Sequence, residues 1–139
     1  MDAAATIREY YDALRGGDPL GPFFATDGDD EYVKFGIAEQ LVGTDEIVAG
    51  LADQTETTTG WTVESRRLRV TERDCHAWFS DDVFVAWTDM EKGIRYEFET
   101  RWSGTLEASD GEGTPSTGSS DEDTDWRFVG MHVSTAGSV

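Results

Sequence analysis

The sequence predicts an α+β domain with its helices on one side of an antiparallel sheet. Three observations carry this prediction. Apolar residues recur every three or four positions near the start of the chain, and apolar and polar residues alternate over much of the second half. The length of 139 residues suits one domain, so we expect a single domain over residues 1–139.

Three helices and a pair of short strands are expected in the first part of the chain. Residues 3–15 have apolar side chains at helical spacing, and two glycines follow them as a stop signal. An Asp-Pro pair predicts a short second helix over residues 18–24, and a threonine followed by two acids predicts a third over residues 44–54. Residues 31–36 and 40–43 are interpreted as the strand pair.

Strands are expected for most of the remaining chain. Their ranges are 61–71, 76–79, 83–90, 94–107 and 125–135, with a turn at Ser80 to Asp82. Alternation is most regular within 94–107, which indicates a strand with one face against a core. Residues 108–124 contain only Gly, Ser, Thr, Pro, acidic residues and one alanine, so we expect a flexible acidic loop inserted between the last two strands.

Acidic residues dominate the charge of the chain. It has 29 Asp and Glu against 11 Lys and Arg, a net charge of −18, so nucleic acids and anionic membranes would be repelled. Arginine outnumbers lysine and aspartate outnumbers glutamate, as in proteins of salt-loving archaea. At molar salt the Debye length falls to about 3 Å, which screens such a surface. We therefore expect a halophilic archaeal protein; an acidic surface that binds a basic partner is the alternative.

Cysteine and histidine are too few for a disulfide or a metal site. Cys75 is the single cysteine, and the two histidines do not provide metal-ligand spacing. The sequence also has neither a run of 18 apolar residues nor a basic leader followed by an apolar run. We expect a cytoplasmic protein without a metal, a cofactor or a membrane span.

Several short motifs occur in a familiar order. They are Gly16-Gly17-Asp18 after the first helix, Phe35-Gly36 in the strand pair, the segment 42–47 that opens the third helix, and a closing strand 126–134 with a His-x-Ser. This order resembles the SnoaL-like branch of the nuclear transport factor 2-like superfamily. The resemblance implies a cystatin-like α+β barrel, in which a curved sheet forms a cone around a cavity, and a homodimer. Its members include isomerases, polyketide cyclases, dehydratases, hydrolases and binding modules, so the fold leaves the function open.

Strict alternation assigns the residues of the last strand to two faces. One face would carry Trp126, Phe128, Gly130, His132 and Ser134, and the other Val129, Met131 and Val133. The resemblance implies that the His132 face lines the cavity, where the imidazole would act as an acid or a base. A buried structural histidine is the alternative, and the opposite face would be a packing or dimer surface.

Two tyrosines of the first helix are further candidates for a catalytic role. The resemblance implies one for Tyr10 or Tyr11, because the steroid isomerases of the family stabilise an oxyanion with a first-helix tyrosine. Structural packing is the alternative. Those isomerases also have a catalytic aspartate where this chain has Lys34, and neither Glu31 nor Glu39 falls at that position. The missing acid favours binding over isomerisation.

Aromatic residues are expected to line the cavity or to fill it. The candidates are Trp61, Trp78, Trp87, Tyr96, Phe98, Trp102 and Phe128, with Ser134 at the edge. An open cavity would hold a small apolar or carbonyl-containing ligand without assured catalysis, which is the favoured function. One alternative is an isomerase, cyclase or dehydratase-type enzyme that uses His132. The other is a dimerisation or protein-interaction module with a filled cone.

Arg66, Arg67 and Arg69 form the basic cluster of the sequence. Guanidinium groups bind carboxylates and phosphates in bidentate geometry. In so acidic a chain, however, we expect these three arginines to pair with surface acids.

Overall fold

The computed structural model describes residues 2–25, 32–37, 39–109 and 125–135. Within these ranges the chain forms two α-helices, one short 3-10 helix and seven strands. They are α1 (Ala3–Gly16), the 3-10 helix (Gly21–Phe23), β1 (Val33–Phe35), β2 (Gln40–Val42), α2 (Thr44–Thr57), β3 (Thr58–Ser65), β4 (Arg69–Glu72), β5 (His76–Asp89), β6 (Ile94–Ser109) and β7 (Asp125–Thr135). The first two residues of the predicted acidic loop, 108 and 109, belong to β6. The rest of the loop, residues 110–124, lies outside the described ranges, as do residues 136–139.

The strands form one mixed sheet in the order β2-β1-β7-β6-β5-β3, and β4 pairs with β5. All the strand pairs are antiparallel except β1 with β7, which is parallel. The α+β class is therefore confirmed, and the sheet is mixed where a purely antiparallel one was expected. No helix of the described residues is long and apolar enough to cross a membrane.

Helix α1 has clear start and stop signals. The Asp2 carboxylate accepts a hydrogen bond from the Ala5 N–H at 2.7 Å and caps the N-terminus. Gly17 ends the helix in the left-handed conformation at φ 71°, which glycine adopts without a steric cost. The apolar side chains of α1 pack against one face of the sheet, here called the inner face; the opposite face is the outer face.

The second predicted helix is reduced to the three residues Gly21–Phe23. Pro22 supplies no N–H for a helical hydrogen bond, and Gly21 is a poor helix former, so residues 18–24 do not sustain an α-helix. The structure therefore has two α-helices where about three were expected. The third predicted helix is present as α2, which continues three residues past its predicted end at 54.

The turn predicted at Ser80 to Asp82 is wrong. Strand β5 runs without a break from His76, which pairs with Glu107, to Asp89, which pairs with Ile94. Asp81 points to the inner face and is only 4% exposed. A charged residue in the middle of a strand suggested a turn, but here tertiary hydrogen bonds satisfy its carboxylate.

A β-bulge at Val129 divides strand β7 into two halves. Thr105 of β6 pairs with Gly130, whereas the next residue, Leu106, pairs with Phe128 and leaves Val129 without a partner. One extra residue reverses the alternation beyond the bulge. Phe128 is inward before it, and Met131 and Val133 are buried after it.

The outer face consequently receives His132 and Ser134. Ser103, which pairs directly with His132, is exposed on that face as well. The strict alternation predicted for β7 is therefore wrong for every residue after the bulge. Met131 and Val133 do not form an outer apolar surface, and Val129 also packs against the core.

Asp81 joins α1 to the sheet. Its Oδ2 accepts hydrogen bonds from the Tyr11 hydroxyl at 2.9 Å and the Ser65 hydroxyl at 2.5 Å, and its Oδ1 accepts one from the Arg67 backbone N–H at 2.9 Å. Each donor comes from a different segment, so one buried carboxylate ties α1, the end of β3 and the β3–β4 connection together. Such a group is stable only while it is fully hydrogen-bonded.

We predict that Asp81→Ala lowers the free energy of unfolding by about 2–4 kcal/mol, because it leaves the buried Tyr11 hydroxyl and two partly buried donors without an acceptor. Urea denaturation measures the change. Tyr11→Phe removes one of the donors and should cost about 1–2 kcal/mol. Asp82→Asn, at the exposed neighbouring position, is the control and should stay within about 0.5 kcal/mol of the parent protein. A loss below about 1 kcal/mol for Asp81→Ala would contradict the assigned role.

Candidate functional site

A cavity of about 420 Å³ lies between α1 and the inner face of the sheet. Helix α1 contributes Tyr10 and Leu14, the start of the sheet contributes Lys34, and β7 contributes Val133. The remaining lining comes from the turn after β1, from Gln54 of α2, and from β3, β5 and β6. The cone is therefore not filled by its aromatic residues.

Aromatic side chains form most of that wall. The rings of Trp61 and Trp87 stack with centroids 4.8 Å apart and planes 17° apart. Trp87 also approaches Tyr96 at 5.5 Å and Phe98 at 5.6 Å. Trp102 completes the wall beside α1. These rings offer flat apolar surfaces to a ligand.

Several predicted pocket residues lie elsewhere. Phe128 is fully buried below the cavity, where it packs against Phe24 and Tyr10 at 5.4 and 5.2 Å. Trp78 is 47% exposed on the outer face, and Arg73 lies over its ring. His132 and Ser134 also lie on the outer face, beyond the bulge, so neither lines the cavity.

One end of the cavity is polar. Lys34, only 5% exposed, forms an ion pair with Glu39, with 2.5 Å between Nζ and Oε1. The turn after β1 brings the two together, because the Gly36 N–H donates to the Glu39 carbonyl at 3.0 Å. A Cβ at Gly36 would lie 2.6 Å from the Glu39 side chain, so a larger residue would displace that side chain from its place beside Lys34.

The Tyr10 hydroxyl also belongs to this polar end. It makes no hydrogen bond with any described residue. Every fully buried polar side-chain atom in the described ranges does have a hydrogen-bond partner, so the Tyr10 hydroxyl must be accessible from the cavity. Its ring is held edge-on by Phe23, Phe24, Trp102 and Phe128. A rigid ring thus presents an unused donor to the cavity.

The two neighbouring tyrosines have different partners. Burial raises the pKa of Tyr10 above the usual tyrosine value, and the negative charge of Glu39 raises it further. Burial also raises the pKa of Tyr11, and the negative charge of Asp81 raises it further. Both hydroxyls stay protonated at neutral pH, but Tyr11 donates to Asp81 and only Tyr10 faces the cavity.

The sequence did not predict the ion pair of Lys34 and Glu39. Lys34 was noted only because the steroid isomerases of the family have an aspartate at that position. Alternation did not reveal the ion pair, because it would turn the apolar neighbours Val33 and Phe35 inward and Lys34 outward, whereas Lys34 is buried and Phe35 is exposed. The partner is only five residues away, where the predicted strand pair of residues 31–36 and 40–43 returns toward Lys34, but no pattern in the sequence singled out Glu39. Among the described residues, no group of three or more His, Cys, Asp or Glu could hold a metal ion.

Residues 3–113 match the family model of the SnoaL-like domain. The chain belongs to the SnoaL-like family. No curated protein sequence matches it.

Solved structures of nuclear transport factor 2-like proteins resemble this SnoaL-like domain. A proposed dehydratase from Streptomyces avermitilis has a TM-score of 0.73 and 14% identity, over 97% of this chain and 94% of that one. A ketosteroid isomerase-like protein from Erwinia carotovora atroseptica has a TM-score of 0.69 and 16% identity, over 97% and 94%. A nuclear transport factor 2-like superfamily protein from Salmonella enterica has a TM-score of 0.72 and 17% identity, over 97% and 89%. At these identities the likeness shows the cone fold and leaves the function to the cavity itself.

We predict that this SnoaL-like domain loses stability as the pH rises above about 10, where an unfolded tyrosine loses its proton. The folded state keeps the protons of Tyr10 and Tyr11 at that pH, so the unfolded state binds fewer protons and the free energy of unfolding falls. Each tyrosine contributes up to about 1.4 kcal/mol per pH unit. Urea denaturation between about pH 9 and 11.5 measures the slope. Tyr10→Phe should make it shallower, and an unchanged slope would contradict the assignment.

Proposed function

We propose that the cavity binds a flat, mostly apolar small molecule that carries a carbonyl or similar oxygen. The observation that carries this proposal is the unused Tyr10 hydroxyl at the end of an aromatic cavity of about 420 Å³. Ligand pockets commonly have volumes of roughly 300–1,000 Å³ and combine apolar walls with a few polar groups. The stacked rings would bind the ligand plane, and the hydroxyl would fix its orientation.

The polar end favours a hydrogen-bond acceptor on the ligand. Tyr10 is a protonated donor at neutral pH, and an ammonium group such as that of Lys34 has three donors, of which Glu39 takes one. The carboxylate of Glu39 balances the lysine charge, so the ligand itself need not be an anion. A ketone, an ester or a quinone has the required shape and polarity.

Binding without chemistry is the function proposed here. The enzyme alternative assigned acid–base catalysis to His132, which lies on the outer face and does not reach a ligand in the cavity. The module alternative required a filled cone, and the cavity is open. The homodimer stays a prediction from the family resemblance. Val129, Met131 and Val133 pack toward the core, so they do not supply an apolar outer surface for a dimer. Light scattering would distinguish a monomer from a dimer.

We predict that 2-acetylnaphthalene binds more tightly than 2-ethylnaphthalene, which has the same rings but no carbonyl. Tryptophan fluorescence and calorimetry measure both affinities. Tyr10→Phe should weaken the binding of the ketone by about fivefold, which corresponds to the loss of one ordinary hydrogen bond, and should leave the affinity for the hydrocarbon unchanged. Trp87→Ala should weaken both ligands by about tenfold because it removes the centre of the aromatic wall.

Trp78→Ala is the matched control, since it removes an exposed tryptophan outside the cavity. Its affinities should equal those of the parent protein. Equal losses for Trp78→Ala and Trp87→Ala, or no binding of either naphthalene, would overturn the proposal.

We further propose that the acidic surface is an adaptation to high salt. Even ion-paired acids such as Asp12 and Glu99 have side chains 72% and 64% exposed, so arginine partners leave much of the negative charge in solvent. We predict that the melting temperature rises between about 0.1 and 2 M KCl, as the repulsion within a −18 surface is screened. Scanning fluorimetry measures it, and a melting temperature that falls over this range would contradict the adaptation.

A further inference from the structure

A second cavity, of about 300 Å³, lies on the outer face of the sheet. Strand pairing lines up four of its residues in one row: Arg69 of β4 pairs with Ser80 of β5, Ser80 with Ser103 of β6, and Ser103 with His132 of β7. The row therefore has two hydroxyl groups at its centre, an arginine at one end and a histidine at the other. We call this cavity the outer groove.

A second row lies two residues along the same strands. Asp82 of β5 pairs with Arg101 of β6, and Arg101 pairs with Ser134 of β7. Arg67 lies beside this row, with its Nε 3.9 Å from the Asp82 carboxylate. The outer groove thus combines three arginines, a histidine, three serines and Trp102 with two acids, the exposed Asp82 and the buried Asp81.

Two of these arginines have no counter-ion among the residues that the structure describes. Arg69 and Arg101 form no ion pair or hydrogen bond with any described residue through their side chains. Elsewhere on the surface some arginines pair with acids, as Arg66 does with Glu99 at 2.7 Å, but others, such as Arg8, have no acidic partner among the described residues. What distinguishes Arg69 and Arg101 is that both line one groove together with serine hydroxyls.

We propose that the outer groove binds a phosphate-type oxyanion, either free or carried by a small molecule. Guanidinium groups hold such an anion through paired, charge-assisted hydrogen bonds, and serine hydroxyls donate to its remaining oxygens. The spacing suits this chemistry, because adjacent strands are about 4.8 Å apart and Ser80 and Ser103 lie between Arg69 and His132. The site lies on the opposite side of the sheet from the inner cavity, although Trp102 lines both.

Asp82 sets the strength of this site. Its carboxylate lies among the arginines and competes with an anion for them. At near-contact distance in water, one unit charge changes the interaction by about 1 kcal/mol, which corresponds to roughly fivefold in affinity. Asp82→Asn keeps the shape of the side chain and removes the competing charge.

Calorimetry with inorganic phosphate, at a fixed KCl concentration of about 0.5 M, tests the proposal. The parent protein should bind one phosphate, and Asp82→Asn should bind it about fivefold more tightly. Arg69→Gln and Arg101→Gln should each weaken binding at least about fivefold, as expected for a lost charge-assisted hydrogen bond. Phenyl phosphate is measured in parallel. It should bind more weakly than inorganic phosphate if the groove takes a free anion, and more tightly if the groove takes an anion carried by a small molecule.

Arg8→Gln is the matched control, because Arg8 is an exposed arginine of α1 outside the groove. It should leave phosphate binding unchanged. The proposal is overturned if phosphate releases no heat, if Arg8→Gln weakens binding as much as Arg101→Gln, or if Asp82→Asn has no effect.

Discussion

The bulge at Val129 is the constraint on which the rest of the structure depends. Without it, Met131 and Val133 would face solvent, and the inner face would receive His132 and Ser134. The single extra residue instead gives the inner cavity an apolar floor and gives the outer groove its histidine and one of its serines. Both candidate sites are thus set by one irregularity of the hydrogen-bond ladder.

Strand β5 contributes an aspartate to each face of the sheet, and the two aspartates have different roles. Its neighbouring residues Asp81 and Asp82 have the same side chain but opposite directions. The inward carboxylate is almost fully buried and is satisfied by three donors, so it holds α1 over the cavity. The outward carboxylate stays in solvent, where it touches Arg67 at 3.9 Å and limits the positive charge of the outer groove.

Regular elements were predictable from the sequence because their signals are local. The helical spacing of Ile7, Tyr10 and Leu14 fixed α1, and the alternation within β6 identified its inner aromatic face. The site was less predictable, because its polar end depends on contacts between distant segments. A turn was expected at Asp81 because burying a carboxylate within a strand costs free energy. Hydrogen-bond donors from other segments remove that cost, and the local sequence does not show them. No local pattern indicated the bulge, and strict alternation therefore assigned His132 to the wrong face.

The placement of the charges explains why a −18 chain can contain two sites that attract electron-rich groups. Inside the cavity, Lys34 is neutralised locally by Glu39, and the neighbouring Tyr10 remains a neutral donor because burial opposes its ionisation. On the outer face, Arg69 pairs with Ser80, and Arg101 lies between Asp82 and Ser134, so Asp82 is the carboxylate that opposes an anion there. Surface acidity sets solubility and salt response, whereas the local pairing of each cation decides what a site can bind.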